Sequence, residues 1–356
     1  MKRYIILLMT LVCTMTAMAE EQPDTVIITL QNGSEVRYTS DQFDRVQIIF
    51  NLQYGVKVYL KNGKSKDYLA TKVEIAQYKE GGEVIVDNNK NRNRYRAKLL
   101  EYPHLAADST MNQLVIKSTP DYGITYSLEW SYRDMANRWT CYQMHSGNME
   151  INADRSKNFY PDPDIPEQYR TIDNDYKKSG FSRGHLCPSA DRRCSEDQNQ
   201  QTFYLSNIQP QYQAHNDGIW LKLENKIRDW AADCDTLYVV KAATIRSDQL
   251  LPEKCIGYSK RELIVPKYFY MAVLAYDKKA DKYRAMGLWT LHQSERDSNT
   301  NLGDYAITID RLEELTGIDF FCNLPDDKED EVERGDLIED GEWVVDVGLW
   351  GITKTQ

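Results

Sequence analysis

The segment from Asn216 to Trp230 constrains the fold more than any other part of the chain. Its large apolar residues, Trp220, Leu223, Ile227 and Trp230, recur at three- and four-residue spacing, with Asp217 and Gly218 near the start. That is the period of one face of an α-helix, and a helix with two tryptophans on one stripe must turn that stripe to a core. Asn216, Glu224 and Arg228 follow at spacings of eight and four on a neighbouring stripe, so their side chains can line one cleft. Taken singly, each has an ordinary explanation: Asn216 as a helix N-cap, Glu224 and Arg228 as a surface ion pair.

About thirty residues upstream, His185 has a distinctive setting. Gly184 permits close backbone approach, Arg183 places a permanent cation beside the ring, and Pro188 soon ends regular structure. A neighbouring cation favours the neutral imidazole, the form a general base requires. His104, His145, His215 and His292 lack such a setting and read as hydrogen-bonded core histidines, with some reserve for His215 because it abuts Asn216.

Gly123 to Trp130, Arg138 to Met144, Leu237 to Ile245, Tyr268 to Tyr276 and Tyr283 to Leu291 read as strands. Phe159 to Pro166 is a proline-fixed loop, and Asp310 to Thr316 a short helix closed by Gly317. Strands with interspersed helices but no regular βαβ alternation give the α+β class. Ahead of this region, VIITLQNGSEVRYTSDQFDRVQIIF is echoed thirty residues later by VKVYLKNGKSKDYLATKVEIAQY. Each copy has an Asn-Gly turn between β-rich runs, which predicts two β-hairpins in a small module over 20–85, followed by a linker over 86–98. The module carries no catalytic constellation; packing or attachment is its expected role, with a carbohydrate- or partner-binding surface as the alternative.

Lys2 and Arg3 precede an apolar run from Tyr4 to Val12, and Ala17-Met18-Ala19 resembles a cleavage site, so 1–19 reads as a signal peptide. The expectation is an exported protein, periplasmic or extracellular, with no stable membrane insertion because no later apolar run could span a bilayer. Six cysteines remain beyond the signal (Cys141, Cys187, Cys194, Cys234, Cys255 and Cys322), compatible with up to three disulfides or with buried thiols. The formal charge of −10 argues against a surface built for polyanions. Its distribution softens that objection: ten acidic residues against Lys328 and Arg334 between Asp326 and Glu342 give a net −8 in one segment, expected as a solvated acidic loop.

The ordered run SRGHLCPSADR (Ser182 to Arg192), LSNIQPQ (Leu205 to Gln211) and NDGIWLKLE (Asn216 to Glu224) resembles the sugar-non-specific DNA/RNA endonuclease family. The likeness extends to Arg155 with the loop Phe159 to Pro166, and to IDRLEELTGIDFF (Ile309 to Phe321), roughly residues 100 to 325. It implies a ββα-metal nuclease domain over 99–356, with a central antiparallel sheet and flanking helices. It further implies His185 as general base and Asn216 as the direct protein ligand of a single Mg²⁺, with Mn²⁺ as a possible substitute. Asn207 and Glu224 match positions that support the site and order metal-bound water; Arg155, Arg183 and Arg228 match positions that contact the scissile phosphate or its surroundings. Ser182 stands where the family's motif usually has Asp, which removes a negative charge. The expected activity is Mg²⁺-dependent, sequence-non-specific hydrolysis of DNA and RNA leaving 5′-phosphates. The alternatives are a catalytically weak nucleic-acid-binding or adhesin-like surface protein, and a small-molecule phosphodiesterase.

Overall fold

The computed structural model describes residues 25–30, 34–48, 56–68, 73–79, 99–106, 108 and 110–353. The expected signal peptide and linker lie outside the described residues. The chain divides into two compact units, residues 1–98 and 99–356.

The smaller unit holds β1 (Thr25–Leu30), β2 (Glu35–Thr39), β3 (Phe43–Ile48), β4 (Val56–Leu60), β5 (Ser65–Tyr68) and β6 (Val73–Lys79). The two repeats do not form two self-contained sheets. β1 pairs with β2 and β4 with β5, but the third strand of each copy crosses to the other: β6 joins β1, and β3 joins β4. Two three-stranded sheets result, ordered β2-β1-β6 and β3-β4-β5. Gly63 takes the positive φ that the β4–β5 turn requires, at 78°. Val26, Ile28 and Tyr38 cluster with Val58 of the other sheet, so one shared core explains the exchange: a lone hairpin has too little apolar surface to fold by itself.

The larger unit contains β7 (Asn112–Thr119), β8 (Gly123–Ser131), β9 (Ala136–Met144), β10 (Ser182–His185), β11 (Ile208–Gln211), β12 (Thr236–Ala243), β13 (Cys255–Ile256), β14 (Glu262–Leu263), β15 (Tyr268–Asp277), β16 (Lys282–Leu291), β17 (Ala306–Ile307), β18 (Leu337–Glu339) and β19 (Glu342–Val344). Its helices are α1 (Asp173–Tyr176), α2 (Glu196–Gln201), α3 (Gln213–His215), α4 (Leu221–Asp233), α5 (Ile309–Thr316) and α6 (Asp326–Arg334). A seven-stranded antiparallel sheet ordered β17-β16-β15-β12-β9-β8-β7 forms the frame. The strands and the short helix expected from the sequence are there, α5 ending at Gly317 with φ 68°.

Helix α4 and the turn before it lay Trp220, Leu223, Ile227 and Trp230 against the sheet residues Val239, Phe269 and Met271. Burying side chains of this size is worth roughly 1.5–3 kcal/mol each, which makes this contact a main source of the unit's stability. Trp230 Nε1 also donates to the Trp350 carbonyl at 2.6 Å, tying the last turn of the described chain to α4. Apart from the sheet, β10 and β11 form a two-stranded ribbon, with His185 opposite Ile208 and Ser182 opposite Gln211. Ribbon, α3 and α4 follow one another in space as in sequence.

Two expectations are corrected. The segment from Asp326 to Glu342 is not a loop: α6 and the β18–β19 hairpin occupy most of it. Asp326, Asp327 and Glu329 sit in the first helical turn, where negative charge meets the positive end of the helix dipole, and Val332 anchors the helix inward. The six cysteines are free thiols, not disulfides, and five of them are buried. Burial pushes the Cys187 thiol up to about 12 and the Cys255 thiol up to about 11, so they behave as small apolar packing groups. No helix among the described residues is long and apolar enough to cross a membrane.

Candidate active site

The ribbon carries His185 at the end of its first strand, paired with Ile208. Gly184 is required for the close pairing: a Cβ there would lie 2.8 Å from Gln211 Cβ and nearer still to its amide. His185 is 9% exposed, its ring 5.5 Å from that of Phe159 and 4.9 Å from the ring of Phe203, which it meets edge-on. Its Nε2 is buried with no hydrogen-bond partner among the described residues. Burial first, then the charge of Arg155, hold the imidazole down at about 3, while a hydrogen bond to the Arg183 backbone works the other way. A ring hydrogen-bonded to that carbonyl through Nδ1–H leaves Nε2 as a bare acceptor.

The cation that acts on His185 is therefore Arg155, not its sequence neighbour. Arg183 pairs with Asp173 at 2.5 Å and lies over the Phe159 ring at 5.1 Å, so its charge is met locally. Arg155 is exposed, rests on the Phe203 ring at 5.0 Å and has no ion pair among the described residues. The loop that follows it is held rigidly. Buried Lys117 binds Asp162 and, at 2.6 Å, Asp164, and Ser206 donates to Asp162 at 2.5 Å.

Asn216 is not an N-cap. With φ −62° and ψ −47° it lies inside a helical path, at the start of a π-helical turn from Asn216 to Trp220 that joins α3 to α4 and kinks at Gly218. Such turns widen the helix and turn a side chain out of the regular series. The half-buried Asn216 amide has no protein partner among the described residues. Trp220, within the same turn, donates from Nε1 to the His185 carbonyl at 3.4 Å, linking the turn to the ribbon. A hard ion such as Mg²⁺ takes oxygen ligands and keeps much of its water, so a half-buried amide oxygen with no protein partner among the described residues suits it.

On α4, Glu224 is 8% exposed and pushed up to about 7 by burial, against the pull of Lys241 at 3.7 Å and of Arg228. Arg228 donates to Asp191 at 2.6 Å and to Asn225 at 2.6 Å. Asp191 also accepts from the Tyr142 hydroxyl at 2.7 Å and has Lys241 at 3.8 Å. Asp191 and Lys241 are thus members of the network that the sequence reading missed. Lys241 had a visible signal, a lone cation inside the apolar strand β12; Asp191 lay within the SADR run but without a stated role.

Asn207 is fully buried and committed to backbone. Its Oδ1 accepts from Cys187 N at 2.8 Å, and its Nδ2 donates to the carbonyls of Cys187 at 2.8 Å and Thr202 at 2.9 Å. It therefore fixes the chain just after His185 rather than facing the cleft. Ser182 donates to Gln213 at 2.5 Å, joining ribbon to α3. His215 bonds Gln211 and Thr290, and His292 bonds Pro266 and Tyr212, as packed histidines do.

A central antiparallel sheet flanked by helices, with a two-stranded ribbon leading into the helix that carries Glu224, is the fold of the ββα-metal nucleases, a class of metal-dependent nucleic-acid hydrolases. The backbone agrees with the structure reported for the EndoG/EndoGI complex at a TM-score of 0.51 and 24% identity, over 60% of this chain and 88% of that one. Residues 108–327 match the family described as DNA/RNA non-specific endonuclease, and the chain belongs to that family. It is 29% identical over 212 residues to the mitochondrial nuclease EXOG of Xenopus laevis, covering 58% of this chain and 59% of that protein. It is 28% identical over 232 residues to a nuclease of Nostoc sp., covering 62% of this chain and 81% of the relative. Against the EXOG proteins of Xenopus laevis and Danio rerio the match spans 59% and 56% of their length. The expectation of an exported protein is corrected by the same relatives: those from frog, zebrafish, mouse, human and yeast are named as mitochondrial nucleases.

Proposed function

We propose that residues 99–356 hydrolyse phosphodiester bonds in DNA and RNA with little sequence preference, and that the β module of 20–85 plays no part in the chemistry. The observation that carries this reading is the bare, buried Nε2 of His185, a neutral base whose other ring nitrogen is occupied. His185 Nε2 takes a proton from water as that water attacks phosphorus in line. Mg²⁺, with Mn²⁺ as substitute, would be held by the Asn216 amide and would supply positive charge to offset the negative charge that builds up in the reaction. Glu224 orients water at the cleft. Arg155, which has no ion pair among the described residues, meets the phosphate, whereas Arg183 and Arg228, anchored by Asp173 and Asp191, shape the site and its field. Asn207 holds the backbone that aims His185. The products carry 5′-phosphate and 3′-hydroxyl ends.

The test is incubation of plasmid DNA and of RNA with the intact chain in Mg²⁺ and in EDTA, beside His185→Ala. Short oligonucleotides released only by the parent in Mg²⁺ are the expected result. Absence of metal-dependent cleavage overturns the reading, and rapid turnover of a simple nucleotide ester without oligonucleotide release favours a small-molecule phosphodiesterase.

A further inference from the structure

Away from the cleft, α5 and α6 pack together and place five carboxylates in one region. Asp310 and Glu313 are three apart on α5, Glu329 and Glu333 are four apart on α6, and Asp319 follows the turn that Gly317 ends. Oxygens of Asp310, Glu313 and Glu333 lie within 4.8 Å of one another, and so do those of Asp319, Glu329 and Glu333. Calcium–oxygen distances run about 2.3–2.6 Å, so oxygens facing one ion across its diameter stand about twice that apart. Both triads meet this spacing, and Glu333 belongs to both.

Acidic clusters on surfaces are common, and proximity alone would mean little. Glu333 is different. It is 8% exposed, it points inward from α6 beside Val332, and its Oε1 is buried with no hydrogen-bond partner among the described residues. A helix that needed only an apolar anchor would carry leucine there. The charges that dominate its surroundings are Glu313, Glu329, Asp319 and Asp310, all carboxylates, and together with burial they push its carboxyl up to about 10. A buried acid ringed by acids is unfavourable unless it is protonated or shares a cation.

We propose that α5 and α6 enclose a structural divalent-cation site of the calcium class, with Glu333, common to both triads, as its pivot and further ligands drawn from Asp310, Glu313, Asp319 and Glu329. The donor set is oxygen only, anionic and drawn from three segments, which suits the larger and less regular shell of Ca²⁺ over the strict octahedron of Mg²⁺. Bound there, the ion fastens α6 to α5. It thereby offsets much of the repulsion in the most acidic stretch of the chain. The site is separate from the cleft and needs none of its residues.

The test uses the full chain stripped with EDTA and titrated with CaCl₂ in excess MgCl₂, followed by calorimetry and by the thermal midpoint. The parent is expected to bind Ca²⁺ saturably and to melt at a higher temperature with it. Glu333→Gln should weaken binding at least about tenfold, the loss of one strong ligand, and lose the calcium-dependent rise. In EDTA it should melt no lower than the parent, which shows that it folds. Asp310→Asn, at an exposed position, should weaken binding as well. Asn216→Ala should keep the full calcium response, since that substitution touches only the cleft. No saturable Ca²⁺ binding by the parent overturns the proposal, as does a parent-like response in Glu333→Gln or loss of the response in Asn216→Ala.

Discussion

Glu224 on α4 and Glu333 on α6 are both 8% exposed, yet they sit in opposite electrostatic company. Lys241 and Arg228 attend Glu224, and its carboxyl rises only to about 7; carboxylates alone dominate around Glu333, and it rises to about 10. Burial comes first among the causes for both. The difference is what surrounds them: cations beside one buried carboxylate, further carboxylates beside the other.

The largest effect expected on that contrast is functional. His185→Ala should lower turnover on plasmid DNA by about a hundred- to ten-thousand-fold, while Glu333→Gln leaves the rate in Mg²⁺ unchanged. If both variants lost activity alike, the two regions would not be separate in function. Next in size is Lys241→Met. Removing the buried cation shared by Glu224 and Asp191 leaves both carboxylates with Arg228 alone and should cost roughly 3–5 kcal/mol, read by urea unfolding. A loss below about 1 kcal/mol would mean that Arg228 alone sustains the network.

The pH dependence sharpens the contrast further. Both folded pKa values are raised above the ordinary 4.5, so each group's contribution is fully present below pH 4.5 and is lost as pH rises through its folded value. For Glu224 the loss ends near pH 7; for Glu333 it continues to about pH 10. In EDTA, the thermal midpoint of the parent should therefore fall between pH 7 and 10, and Glu333→Gln should flatten that fall. Glu224→Gln should flatten only the part below neutrality. The smallest effect belongs to the rim of the cleft: Ser182→Ala loses the bond to Gln213 and should cost about 0.5–1.5 kcal/mol by thermal unfolding.

Much of the frame was legible in the sequence because it depends on local period. The Trp220, Leu223, Ile227 and Trp230 stripe is buried as its spacing demands, and Gly317 closes α5 because only a residue at ease with positive φ ends a helix that way. Other features depend on which distant residues meet. The field at His185 comes from Arg155, thirty positions away, because Asp173 draws Arg183 aside. Asn216 looked like a cap because nothing local marks a π-helical turn. The acidic segment looked solvated because charge count hides the inward Val332 and Glu333 of α6. The two β repeats looked like separate hairpins, whereas their third strands change places to complete a shared core.

The sequence by itself determined the α+β class, the apolar face of α4 and the order of motifs that marks the family, since these follow from period, turn chemistry and residue order along the chain. Only the tertiary structure decided which arginine faces His185, which cations accompany Glu224 and which carboxylates crowd Glu333. Charge interactions fall off with distance through space and with solvent exposure, and neither quantity can be read along the chain.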